Sequence, residues 1–166
     1  KDMQQLLEMG MNHYASKIEK AMGVAAKEMP GAGAAGGLGF ALMTFLGARL
    51  QSGIDTVLDL IHFDDLIQDA SLVVTGEGRM DWQSSYGKVP CGVGKRCQKA
   101  GVPAVAIAGG ILPGYEAIYE FGIQSVITTI NGAMDIQQAM KDCESLYLDA
   151  AIRLFRTLQC GMKMAK

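Results

Sequence analysis

The sequence predicts an α/β fold: a parallel sheet built β-α-β-α-β-α over residues 71–166, behind a first 70 residues that offer only helices. Three observations predict it. The short runs Ser71–Gly76, Ala104–Ala108 and Ser125–Ile130 are uncharged and largely apolar, as strands buried on both faces are. Stretches with helical spacing separate them. Gly101-Val102-Pro103 and Gly122 punctuate the junctions ahead of the second and third runs.

The elements follow in chain order. Asp2–Met22 reads as an amphipathic helix that Asp2 can cap, with Leu6, Leu7, Met11, Tyr14, Ile18 and Met22 at helical spacing. The eleven methionines read as adaptable core filler. A glycine-rich stretch, Met29–Gly39, then leads into a helix through Phe40, Leu42, Met43, Phe45, Leu46 and Leu50. Its small residues permit close backbone approach, and amides at the start of such a helix make an anion site. It is a poor dinucleotide fingerprint, because no strand precedes Gly31, and it lacks the lysine of a P-loop. Gly53–Phe63 and Asp64–Ala70 read as two short helices around a break, with Asp64 and Asp65 as acids of a first turn.

After the first strand and its loop, Val89–Ala100 forms a helix with Lys95, Arg96, Gln98 and Lys99 outward. The strand at Ala104–Ala108 follows, then a Gly109–Gly114 loop, a short helix over Tyr115–Phe121 ended by Gly122, and the strand at Ser125–Ile130. A last helix spans about Ile136 to Leu158, with Asp135 as its cap and Gly161 as its stop.

Composition narrows the class of function. Hydrophobic residues make up 49% and charged residues 19%, which is a globular balance. A net charge of -2 leaves no electrostatic footprint for nucleic acid or an anionic membrane. No apolar run reaches the roughly 18 residues that span a bilayer. Four cysteines without a CxxC pair read as buried thiols of a cytoplasmic protein. His13 and His62 stand apart from other metal-ligating types and read as surface or boundary residues. The chain does not begin with Met, and the expectation is a piece of a longer protein.

The chemistry concentrates past the first strand. Glu77, Arg79, Asp81, Gln83, Ser84, Ser85 and Lys88 follow its carboxyl end, which is the ligand side of an open α/β sheet. Glu77 and Asp81 are candidate Mg²⁺ ligands, since that ion takes one or two carboxylates plus phosphates and water. Asp81 can alternatively accept a proton from an attacking hydroxyl. Arg79 and Lys88 can neutralise phosphate charge. Gly76, Gly78 and Gly87 supply the turn and the close approach, while Ser84 and Ser85 can bond a ligand or cap the next helix. The structural alternative is a surface loop in which Arg79 and Asp81 pair with each other. No nucleophile elbow or triad is present in the sequence.

Thr75–Asp81 with Gln83-Ser84, then Gly87–Pro90 and Gly92-Val93, closely resembles the signature of the type 1 glycerate kinases. Gly31–Gly39 upstream resembles that family too, as does the stretch from Gly53 to Asp59 between them. The resemblance implies an ATP- and Mg²⁺-dependent kinase of D-glycerate giving 2-phosphoglycerate, with transfer to the 3-hydroxyl as the competing outcome. It implies two α/β domains, one inserted in the other, with the active site in the cleft between them. On this reading residues 1–70 belong to a second domain, residues 71–166 form a portion of a Rossmann- or flavodoxin-like sheet domain, and the fold is incomplete without the remainder of the same polypeptide. The resemblance gives Asp81 and Glu77 the metal or the attacking hydroxyl, and Arg79 and Lys88 the phosphate or the glycerate carboxylate. Gly31, Gly33, Gly36 and Gly37 would meet a phosphate, beside ligand contacts from Gly76, Gly78, Gln83, Ser84 and Gly87. Expected partners are D-glycerate, the rest of the polypeptide and, as an option, a second copy in a homodimer, with neither nucleic acid nor membrane. The rival from another class is a non-catalytic nucleotide- or organic-acid-binding module.

Overall fold

The computed structural model describes residues 2–85 and 87–164. The chain divides into two compact units, Lys1–Gln51 and Ser52–Lys166, each described by itself. The expected boundary after residue 70 and this division differ by the segment 52–70, which packs with the sheet. Among the described residues, no helix is long and apolar enough to cross a membrane.

In the first unit, α1 (Asp2–Met22) packs against α2 (Ala34–Leu46) around Ala15, Ala26, Ala32 and Phe40, with Tyr14 edge-on to Phe40 at 6.1 Å between ring centroids. Leu6 and Leu7, expected in a core, are 63% and 61% exposed, because α2 covers only the later turns of α1. The glycine-rich stretch is folded on itself. A side chain at Gly39 would stand 2.2 Å from the Gly31 carbonyl oxygen, so the close approach expected there is made by the loop's own backbone. α2 ends at Leu46 rather than Leu50. Gly47 turns left-handed (φ 62) and donates its N–H to the Leu42 carbonyl, a glycine stop of the usual kind.

In the second unit, α3 (Gly53–Leu60) and α4 (Phe63–Leu66) are separated at His62, whose φ of 52 breaks the helix. The sheet holds β1 (Val73–Glu77), β2 (Ala104–Ala108) and β3 (Ile123–Thr128) in that order, all parallel. Val73 aligns with Ala104 and Glu77 with Ala108, while β3 aligns Thr128 with Ala108. Pairing to β2 thus shifts the outer strands by about two residues from their expected limits, since a ladder's register and not its composition sets where it ends.

The expectation of a sheet covered on both faces holds in part: β2 is buried throughout, but β1 is not. α5 (Val89–Ala100), α3, α4 and a 3₁₀ turn at Tyr115–Phe121 lie on one face around Met80, Cys91, Cys97, Ile118 and Ile123. Arg96 of α5 reaches Asp59 of α3 and Asp64 of α4, the latter at 2.9 Å, so the first-turn acid also serves as an ion-pair partner. On the other face, Ala150 and Leu154 pack on Val105 and Ile107. They belong to α7 (Cys143–Met164), which follows α6 (Ile136–Lys141). The single last helix expected is therefore two, broken at Asp142. α7 covers its face of the sheet only over β2 and β3, and Val74 of β1 stays 40% exposed there. Asp135 caps α6 as expected, accepting from the Gln138 N–H at 2.8 Å, but Gly161 does not stop α7.

Two expectations about side chains fail in part. Met80 is the fully buried methionine of the described residues, and most of the others are exposed. Cys91 and Cys97 are buried thiols of α5, whereas Cys143 and Cys160 are exposed on α7.

Candidate active site

β1 delivers its last residue, Glu77, beside the end of β2. The Gly109 N–H donates to the Glu77 carbonyl (3.1 Å), the Met80 N–H to the Gly110 carbonyl (2.9 Å), and the Leu112 N–H to the Met80 carbonyl (2.8 Å). The turns after β1 and β2 are thus stitched together, and the buried Met80 side chain anchors the stitch in the core. Gly109 is required there for space. A Cβ on it would lie 2.3 Å from the Gly78 carbonyl oxygen.

Asp81 follows, 6% exposed. Its Oδ1 accepts from the Gln83 N–H at 3.0 Å, its own N–H donates to Ser84 Oγ at 3.0 Å, and the Ser84 N–H returns to its carbonyl at 2.9 Å. This reciprocal pattern caps the 3₁₀ turn Trp82–Ser85 and explains why Ser84 is fully buried. Arg79 Nε stands 3.7 Å from one Asp81 oxygen and Lys88 Nζ 3.7 Å from the other. The carboxylate therefore sits between two cations. The Arg79–Asp81 pair foreseen as a structural alternative does form, with Lys88 added to it. Arg79 stays 68% exposed at its side chain, free to turn toward a ligand. Tyr86 and the Ser85 side chain lie outside the described residues.

Over the carboxyl ends of all three strands lies a groove of about 810 Å³. Gly76 and Glu77 line it at the end of β1 and Gly78 and Arg79 just after it, with Gly109 and Gly110 after β2, and Thr129 and Ile130 after β3. Val89 adds the first turn of α5, and Ile136, Met140, Cys143 and Tyr147 add α6 and α7. Of the residues expected at the site, Gly76, Glu77, Gly78 and Arg79 line the groove. Asp81, Gln83, Ser84, Gly87 and Lys88 do not line it; they form the turn that leads from it into α5.

Gly31, Gly33, Gly36 and Gly37 belong to the first unit. Gly33, Gly36 and Gly37 line a smaller cavity of about 290 Å³ there, with Asn12, Lys27 and Tyr14. Ala35, Gly36 and Gly37 are all left-handed, so the amides at this end do not fan out as in a regular first turn. Glu19 accepts from the Ala26 and Lys27 N–H groups at 2.7 and 2.8 Å, and these bonds, Lys27's foremost, hold its carboxyl below the usual glutamate range.

The groove residues after β2 and β3 are absent from the sequence-based set. The rule that pointed to the loop after β1 applies equally to Gly109-Gly110 and Thr129-Ile130, which follow the other two strands. Nothing local marks Ile136, Met140 or Tyr147, whose place depends on how α6 and α7 return over the sheet. Among the described residues, no group of three or more His, Cys, Asp or Glu gathers to hold a metal. Glu77 is half-buried at the groove and offers a carboxylate there, which fits an ion that takes its other ligands from phosphate and water.

The model of the glycerate kinase family matches residues 1–159. The chain is 40% identical over 165 residues to a glycerate kinase of Bacillus subtilis, covering 99% of this chain and 42% of that protein. To a glycerate 2-kinase of Escherichia coli it is 40% identical over 159 residues, covering 96% of this chain and 42% of that protein. A crystal structure described as glycerate kinase 2 from Salmonella typhimurium LT2 superposes with a TM-score of 0.65 at 34% identity, over 92% of this chain and 39% of that one. The chain thus spans about two fifths of the length of the relatives it matches.

Proposed function

The chain belongs to the glycerate kinase family, and from that membership we propose that it works within a longer cytoplasmic polypeptide as an ATP- and Mg²⁺-dependent kinase of D-glycerate. The observation that carries this reading is the groove at the carboxyl ends of β1, β2 and β3, lined by Glu77 and Arg79 and lying beside the Asp81–Lys88 pair. Phosphoryl transfer asks a protein chiefly to position its reactants and to neutralise charge. Arg79 and Lys88 are the cations for phosphate or for the glycerate carboxylate. Glu77 is the carboxylate for Mg²⁺, which when bound screens the phosphate charge. Asp81, buried and capped, holds Arg79 and Lys88 in place, and its carboxylate remains the second candidate for the metal or the attacking hydroxyl. Transfer to the 2-hydroxyl is the favoured outcome, because the Escherichia coli relative is a glycerate 2-kinase.

The test is release of ADP by the full-length protein with Mg·ATP, with and without D-glycerate, and identification of the phosphoglycerate formed. Stimulation by glycerate and a 2-phosphoglycerate product are expected. ADP release that ignores glycerate, with ligand binding retained, would replace the kinase by a binding module.

A further inference from the structure

We infer that the groove over the sheet is the donor side of the reaction, with the base of an adenine nucleotide lying against Ile136, Met140 and Tyr147. The inference rests on the kinase reading above and deepens it.

The lining of this groove is of two kinds. The turns after the strands offer backbone, one cation in Arg79 and one carboxylate in Glu77, and α5 begins at Val89 in the same lining. α5 is 12 residues long, so its amino end adds a partial positive charge suited to phosphate. α6 and α7 offer instead an apolar wall. Ile136 and Met140 are 74% and 67% exposed, and Tyr147 is 55% exposed. α6 contributes no buried residue to the core of its unit. Its apolar side chains Ile136 and Met140 are thus no part of that unit's buried core, yet they line a groove of about 810 Å³, within the range of small-molecule sites.

D-glycerate does not call for such a wall. It is a three-carbon acid with two hydroxyls and gains little from apolar contact. A nucleotide needs both kinds of lining at once, an apolar surface for a flat base and polar groups with positive charge for its phosphates. The two-part lining thus separates donor from acceptor.

The experiment uses the full-length protein. Met140→Asp puts a negative charge on the wall at an exposed position. It should raise the KM for ATP by about tenfold while the KM for D-glycerate moves by less than about twofold. An unchanged KM for ATP, or a rise confined to D-glycerate, overturns the inference. Alkylation by iodoacetamide gives a second readout that needs no turnover, because Cys143 lines the groove and Cys160 does not, and both are exposed. ADP should slow the reaction at Cys143 and leave Cys160 unaffected. Equal rates at Cys143 with and without ADP overturn the inference. So does a Cys143 that never reacts, since protein and not nucleotide then covers the groove. The two readings fail separately. Protection of Cys143 without glycerate-dependent ADP release sinks the kinase alone, and normal turnover with an unprotected Cys143 sinks the donor groove alone.

Discussion

Asp81 does two things that one substitution separates. Its Oδ1 caps the turn at Gln83, and its negative charge lies 3.7 Å from both Arg79 and Lys88. Asp81→Asn keeps an oxygen for the cap and removes the charge. In the full-length protein, glycerate-dependent turnover is expected to fall by about tenfold or more, with a melting temperature close to the parent's. Near-parental turnover would show that the charge serves only the turn. Gly109 tests the stitch between the two glycine turns. Gly109→Ala drives a methyl against the Gly78 carbonyl and should destabilise by about 1–3 kcal/mol, read from urea unfolding; an unchanged midpoint would mean that the turn after β1 yields freely. At this scale the sequence identified the chemical groups, and Glu77 and Arg79 do face the groove. It did not reveal that Asp81 is buried, because its carboxylate accepts from Gln83 and its N–H donates to the Ser84 hydroxyl within a turn that is itself held by the pairing of Met80 with the turn after β2.

Between elements, few side chains do the joining, and Arg96 is the clearest. It ties α5 to α3 and α4 through Asp59 and Asp64. In Arg96→Ala, amide hydrogen exchange should quicken in α3 and α4 and stay slow in β2, whose residues are all buried. Uniform quickening across the unit would show instead that the sheet core depends on this pair. Glu19 plays the corresponding part in the first unit, joining the end of α1 to the backbone at Ala26 and Lys27. Its carboxyl is held below the ordinary value of 4.5. The stability it adds is therefore present above its unfolded pKa and is lost as pH falls through the lower folded value. The protection factors of the Ala26 and Lys27 amides, corrected for the intrinsic pH dependence of exchange, should fall on acidification below about pH 4.5, and Glu19→Gln should flatten that response. A wild-type response that matches the variant's would remove Glu19 from the account. Helices and strands were legible from periodicity, down to the limits of α1, α5 and β2. The break between the two short helices was legible too, though it falls at His62 rather than after Phe63; the ends at Gly47 and Asp142 were not, since each depends on a single residue's backbone angle.

At the largest scale, the sheet has three strands among the described residues. β1 and β3 each have one unpaired edge among the described residues, and α7 carries Leu148, Ile152 and Phe155 exposed on the side away from Ala150 and Leu154. Open edges and apolar stripes favour association. Residues 1–166 expressed alone are expected to self-associate and to lack normal glycerate-dependent ADP release, whereas the full-length protein is well behaved. Light scattering and the ADP assay on both samples decide it. A monomer of residues 1–166 turning over at the full-length rate would place every catalytic part within them. The sequence by itself determined the α/β class, the parallel order of three apolar strands, the family signature and the loop after β1, because periodicity, turn residues and motif spacing are local properties of a chain. Only the tertiary structure decided strand register, the burial of Asp81 and Ser84, the meeting of Gly78 with Gly109, and the apolar wall of the groove. Each of these requires residues distant in sequence to share one space, and close packing, which no local pattern encodes, selects which of them do.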